Sequence, residues 1–145
     1  MFSKACEYGI RSLIYITMKS SNNDRVNLID ISSAIDSPTA FTAKILQKLV
    51  KSNIIESVKG PHGGFQISEE AMETINLSDV VLAIDGDTIY NGCGLGLKQC
   101  DELNPCPLHD RFIQVRGDLK QMLKTTSLKS LAIELERGNT VLKIK

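Results

Sequence analysis

Residues 27–68 read NLIDISSAIDSPTAFTAKILQKLVKSNIIESVKGPHGGFQIS, and two changes of period inside this stretch decide the fold. Leu28, Ile31, Ala34 and Ile35 form one apolar stripe at helical spacing, with Asn27 placed to cap the helix and Asp30 three residues on. A second helix opens after a tight turn, with Ser37 as N-cap and Pro38 at the first helical position, where a missing N–H costs nothing. Its inward face is expected to carry Phe41, Ile45, Leu46 and Leu49. Its outward face then carries Thr39, Ala43, Lys44, Gln47, Lys48 and Lys51. From Ile54 the helical period stops, and two short β-prone runs flank GPHGG, whose glycines and proline mark a hairpin tip. Short helix, tight turn, helix and hairpin follow one another as in a winged helix-turn-helix.

Working outward, residues 3–20 place Ile10, Leu13, Ile14 and Thr17 at helical spacing, and the polar run SSNNDR ends that helix. LSDVVLAIDG reads as a short helix behind the wing, with Ser78 as its cap. Farther on, Leu108, Phe112, Val115, Leu119, Met122 and Leu123 recur at spacings of three and four, giving a long helix with a seam suited to a partner helix. A second copy of the chain is the simplest partner. SLKSLAIELE forms a last short helix ending at Gly138, and NTVLKIK is expected to fray. The expected class is mainly α with a small β-hairpin wing: a winged helix-turn-helix over residues 1–86, then a cysteine loop, a long dimerisation helix and a tail over residues 87–145.

At 145 residues with 42% hydrophobic and 23% charged residues, the chain can bury one core. No apolar run approaches the roughly 20 residues of a membrane helix, so no membrane partner is expected. The opening MFSKACEYGIRSLIYITMKS carries Glu7 and Arg11 among its apolar residues and lacks a small-residue cleavage site, which points to the cytoplasm. The formal net charge is zero, from 17 basic and 17 acidic residues. The charge is unevenly placed: between Pro38 and His62, Lys44, Lys48, Lys51 and Lys59 face a single acid, Glu56. A helix bearing Thr, Ala and Gln among lysines can enter a major groove, where the small residues meet thymine methyls, Gln pairs with adenine and the lysines meet phosphates. Double-stranded DNA is therefore the expected partner. His62 and Gly63 sit at the hairpin tip, where His62 either reaches a minor groove or is a solvated turn residue.

Three of the four cysteines fall within residues 91–110, NGCGLGLKQCDELNPCPLHD. Cys93, Cys100 and Cys106 with His109 form a Cys3His set of the kind that holds zinc, and cysteinyl loops also hold iron-sulfur clusters. Structural zinc sites use close pairs of ligands, whereas gaps of six and five residues make a wider basket that suits a cluster. Pro105 and Pro107 stiffen the surroundings of the third cysteine, and Gly92, Gly94 and Gly96 let backbone amides turn toward sulfur. Cys6 is isolated and reads as packing. A cysteine hydrolase or redox enzyme is not indicated, because no Cys-x-x-Cys pair is present and neither histidine sits in an acyl-transfer setting.

CEYGIRSL, FTAKILQKLVKSNIIESVKGPHGGFQI, the cysteine triplet and the long helix together resemble the bacterial Rrf-two family of winged-helix regulators over nearly the whole chain. VKGPHGGF resembles the family's wing signature, and the triplet resembles its cluster-binding branch, although the first gap is six residues where that branch has five. The resemblance implies a homodimeric transcription regulator, a repressor rather than an enzyme. Its operator affinity would be set by a 2Fe-2S or 4Fe-4S cluster sensing nitric oxide, redox state or iron-sulfur status. It also implies that the long helix pairs two subunits and that a ligand on the first helix reaches the other subunit's loop. Glu7 matches the aspartate position of the nitric-oxide sensors, and His109 matches the ligand of the iron-sulfur-biogenesis regulators. The alternative is a winged-helix regulator with a zinc-bound or metal-free loop that senses another signal.

Overall fold

The structure is a computed structural model that describes residues 2–144, so Met1 and Lys145, the outer ends of the two expected segments, lie outside the described residues. Helix α1 spans Lys4–Ser21, starting where the Ser3 hydroxyl accepts the Cys6 N–H at 3.0 Å. Its fully covered side is lined by Cys6, Gly9, Leu13, Ile16 and Thr17. Ile10 and Ile14 are only half-buried, because the buried stripe runs through Gly9 and Ile16. There the small Gly9 lets Ile84 and Ile45 approach so closely that an added Cβ would lie 2.3 Å from the Ile84 side chain.

Helix α2, Leu28–Ile35, is capped by Asn27, whose side chain accepts the Asp30 N–H at 2.8 Å. It ends at Asp36 in the left-handed region, with φ 52°. Helix α3 then runs Thr39–Lys51. The expected Ser37 cap is displaced by one position: Pro38 occupies the N-cap with extended backbone and no side-chain cap bond. The Ser37 hydroxyl instead lies 2.6 Å from that of Thr42, which donates to the Pro38 carbonyl at 2.8 Å. Satisfying its hydroxyl in this way lets Thr42 be fully buried with Ile45, Leu46 and Leu49. Phe41, expected inward, stays at the rim with its ring edge-on to Tyr8 at 5.7 Å.

Strands β1, Glu56–Val58, and β2, Gly64–Gln66, pair antiparallel with Ser57 opposite Phe65. Val26 adds a bridge on the far side of β2, exchanging bonds of 3.1 and 2.7 Å with Phe65. Helix α4 follows at Glu69–Thr74 and α5 at Leu77–Asp85. The cap of α5 is Asn76 rather than Ser78, because Asn76 and Asp79 exchange side-chain and backbone bonds in a capping box. A four-residue helix α6, Thr88–Asn91, leads into the cysteine loop, and α7, His109–Thr125, and α8, Leu128–Glu136, complete the order.

The core gathers around α1, with α2, α3, α5 and β2 packed on it and α8 returning to lie along it. Leu13, Ile16, Ile31, Leu46, Leu49, Val80, Val81, Leu123 and Leu128 are sealed from solvent, each contributing about 1.5–3 kcal/mol of burial. The expected frayed tail is docked as well: Arg11 donates to both Ile35 O at 2.9 Å and Leu142 O at 3.0 Å, and Lys143 donates to Ser33 O at 2.9 Å. These bonds tie the tail to the C-terminal carbonyls of α2, where a positive charge is favoured. No helix among the described residues is long and apolar enough to cross a membrane.

Candidate DNA-reading face and cysteine loop

The geometry of the turn between α2 and α3 leaves one side of α3 open. Thr39, Lys44, Gln47, Lys48 and Lys51 are exposed along it, and Ala43 is half-buried. Lys48 differs from the other lysines in donating to the Ile84 carbonyl at 3.3 Å, which ties α3 to the end of α5. On the hairpin, Lys59 and His62 are exposed and Gly63 is half-buried. Gly63 donates to Gly60 O at 3.0 Å to close the tip. Gly64 holds φ +134°, and a Cβ there would lie 2.6 Å from Val26 O. Only glycine lets β2 approach Val26 so closely.

Arg25, not singled out from the sequence, belongs to this face. Its Nε donates to Gln66 Oε1 at 2.8 Å and its Nη1 to His62 O at 3.3 Å, while Gln66 donates to Glu56 at 2.8 Å. The network fixes a guanidinium beneath the wing tip. In sequence Arg25 is only the end of a polar run, and its partners lie 37 and 41 positions away.

The cysteine loop is fastened to α7. Gly94 sits against the Phe112 ring, where a Cβ would come within 2.3 Å of a ring carbon. Cys93 Sγ accepts the Leu95 N–H at 3.4 Å. The Leu97 amide, then that of Leu95, with the neighbouring Cys106 thiol, hold the Cys93 thiol below the usual range. Cys100 belongs to a second group, with Sγ 3.4 Å from His109 Nδ1 and accepting from Arg116 Nη2 at 3.1 Å. The other terminal nitrogen of Arg116 donates to Tyr90 O at 3.1 Å and Gly92 O at 2.7 Å. Among the described residues no three His, Cys, Asp or Glu side chains converge as a metal-ligand group. Cys100 thus stands with His109 and Arg116, while the Cys93 thiol has Cys106 as its neighbour.

The donor chemistry nonetheless fits a thiolate-bound anionic group. Soft sulfurs are accompanied by N–H donors, and Arg116 Nε is buried without an acceptor. Glu7 lies on α1, where its carboxylate pairs with Lys4 at 3.3 Å. Its neighbour Cys6 is fully buried. Burial, then the Asp85 carboxylate that Ser3 also binds, push its thiol up to about 12.

Helix α7 is two-sided. Phe112, Arg116, Leu119 and Leu123 turn toward the rest of the chain. Leu108, Val115 and Met122, seven residues apart, are exposed at its start and along it, with Ile113 beside them. Part of the expected seam, Phe112, Leu119 and Leu123, is therefore used within the chain.

A family model described as "Rrf2: Iron-dependent Transcriptional regulator" matches residues 2–134. An Aquifex aeolicus protein named as a candidate HTH-type transcriptional regulator is 30% identical over 134 residues, covering 90% of each chain. The HTH-type transcriptional regulator IscR of Vibrio campbellii is 26% identical over 94% of this chain and 77% of its own. Among solved structures, CymR, the global cysteine regulator of B. subtilis, superposes with a TM-score of 0.73 at 19% identity, covering 92% of this chain and 96% of that one. The mainly helical winged fold is the same. The chain belongs to the Rrf2 family of HTH-type transcriptional regulators and is not an enzyme.

Proposed function

We propose that this Rrf2-family regulator is a cytoplasmic homodimeric repressor whose hold on a twofold-symmetric operator depends on an iron-sulfur cluster bound by Cys93, Cys100 and Cys106. One observation carries the reading: the three-thiol loop is fastened by Gly94 and Arg116 to the helix whose other side bears Leu108, Val115 and Met122. A ligand that draws the three sulfurs together would act directly on a dimer-forming helix. DNA contact is assigned to Thr39, Ala43, Lys44, Gln47, Lys48 and Lys51 on α3, and to Lys59, His62 and Gly63 on the wing. With one such face per subunit, two recognition helices enter successive major grooves about one duplex turn apart.

When bound, a cluster supplies an iron-sulfur centre that nitric oxide or oxygen attacks. The chain's part is to present three sulfurs and to steady their charge with the amides of Leu95 and Leu97 and with Arg116. The fourth ligand is Glu7 of the partner subunit, a hard carboxylate that leaves its iron exchangeable. A second reading is favoured by the 3.4 Å approach of His109 Nδ1 to Cys100: His109 completes the site within one chain, for a cluster or for zinc.

Anaerobically purified protein is the test. Brown protein containing iron and acid-labile sulfide, with operator affinity that changes on exposure to nitric oxide, supports the cluster reading. Colourless protein with stoichiometric zinc, or operator binding indifferent to the state of the loop, refutes it. Glu7→Ala and His109→Ala then separate the ligand assignments by which one alters the visible spectrum.

A further inference from the structure

We propose that Arg116 is a positioning residue of the cysteine loop, clamping the end of α6 where the loop begins and donating to the Cys100 sulfur, so that it sets both the rigidity of the loop and the electronic character of whatever the thiols bind. The proposal rests on the cysteine loop being the ligand site, and it concerns a residue that the family's ligand pattern leaves out. Arg116 is in the middle of α7, yet each of its polar contacts lies in the segment before that helix. Nη1 reaches two carbonyls, Tyr90 O and Gly92 O, on either side of Asn91, and Nη2 reaches Cys100 Sγ at 3.1 Å. The planar guanidinium suits this task, because its donors leave in fixed directions and can engage two backbone oxygens and a sulfur at once.

The environment indicates that the clamp has capacity to spare. Arg116 Nε is buried and lacks an acceptor, which is costly for a charged group unless a further acceptor arrives. A bound group with bridging sulfides brings such acceptors, and N–H donors aimed at sulfur favour the more negatively charged state of a thiolate-bound metal centre. Phe112, one turn earlier on α7, supports the start of the loop by packing on Gly94. Phe112 shapes the loop without charge, and Arg116 adds charge without closing the site, since it offers iron no ligand atom.

Three variants test the assignment: Arg116→Met, which keeps the stem and removes the donors; Arg116→Lys, which keeps the charge but cannot span both carbonyls and the sulfur; and Arg116→Gln, which keeps an amide donor if the Met variant fails to fold. In metal-free protein, amide hydrogen exchange between Gly92 and Leu97 should quicken about tenfold in Arg116→Met, as expected for losing a charge-assisted bond, while α1 to α5 exchange as before. In anaerobically reconstituted protein the same variant should release iron to a chelator about ten- to a hundredfold faster. Its midpoint potential should move negative, with Arg116→Lys in between. A midpoint potential and visible spectrum identical to wild type in Arg116→Met overturn the proposal, even if that variant is less stable. If wild-type protein takes up no iron and sulfide, the cluster reading fails by itself. The exchange measurement then decides the clamp, and unchanged exchange in the loop overturns it whatever the loop binds.

Discussion

Replacing Gly64 by alanine should disable the wing, and the size of the effect follows from three features of the site. Alanine at φ +134° carries backbone strain of about 1–3 kcal/mol. Its Cβ would also lie 2.6 Å from Val26 O and 2.9 Å from the carbonyl carbon, both backbone atoms that cannot swing away. Relief requires β2 to retreat from Val26, which breaks the bonds of 3.1 and 2.7 Å exchanged with Phe65 at about 1 kcal/mol each. The expected loss is about 3–5 kcal/mol, a large share of the 5–15 kcal/mol typical of a domain. Gly60→Ala is the internal control: Gly60 has φ +106° but nothing within 4 Å of an added Cβ, so only strain is incurred. Urea unfolding followed by circular dichroism measures both, and operator binding should weaken in Gly64→Ala even where the protein remains folded. Equal losses in the two variants, or a loss below about 1 kcal/mol in Gly64→Ala, would refute the reasoning that the close approach to Val26 fixes the wing.

Other expectations concern single residues. The Cys6 thiol, raised from 9.0 to about 12 in the fold, stays protonated while the unfolded chain ionises, so its contribution is complete below pH 9 and is lost as pH rises toward 12. The stability advantage of wild type over Cys6→Ala should accordingly shrink by roughly 2 kcal/mol between pH 8 and 10.5, and a constant difference in urea midpoints would contradict it. Val115→Glu and Met122→Glu place charge on the exposed side of α7 and should give monomers by sedimentation, whereas variants that sediment as wild-type dimers would exclude that side as the interface. Lys44→Ala and Lys51→Ala should each flatten the salt dependence of operator binding by about two in a dimer. Lys48→Ala should flatten it less, because its ammonium is engaged by Ile84 O; equal slopes for the three would mean that Lys48 leaves that carbonyl for phosphate.

The head of the molecule was legible because its signals are local. Asn27 capping α2, the helical stripe of Ile45, Leu46 and Leu49, and GPHGG at the hairpin tip each act within a few residues. What escaped has several causes. Thr42 looks polar until its hydroxyl is seen to be satisfied by Pro38 O and Ser37, and Phe41 looks like core until Tyr8 takes its ring at the rim. Helix α4 is six residues long, too short for periodicity to register. Spacing marked the cysteine loop as a candidate ligand set but could not show that Cys100 would stand with His109 and Arg116 while the Cys93 thiol had Cys106 as its neighbour. Arg25 and Arg116 were invisible for a shared reason: each is an ordinary charged residue locally, and its role comes from carbonyls and side chains supplied by other elements.

The packing of α8 along α1 has a bearing on how the molecule comes to exist in a cell. The last helix closes over the first, with Asn22 bonded to Glu136 across 114 positions, and the tail beyond it follows, with Arg11 bonded to Leu142 across 131. A ribosome adding about 5–20 residues per second exposes every element of the reading head well before α8 leaves the tunnel. Through that interval α1 lacks one of its walls, and Leu128 and Ala132, which seal it, have not yet been made. For those seconds the reading head stands without the wall that α8 supplies to α1, and a message truncated within α7 would leave α1 permanently uncovered on that side.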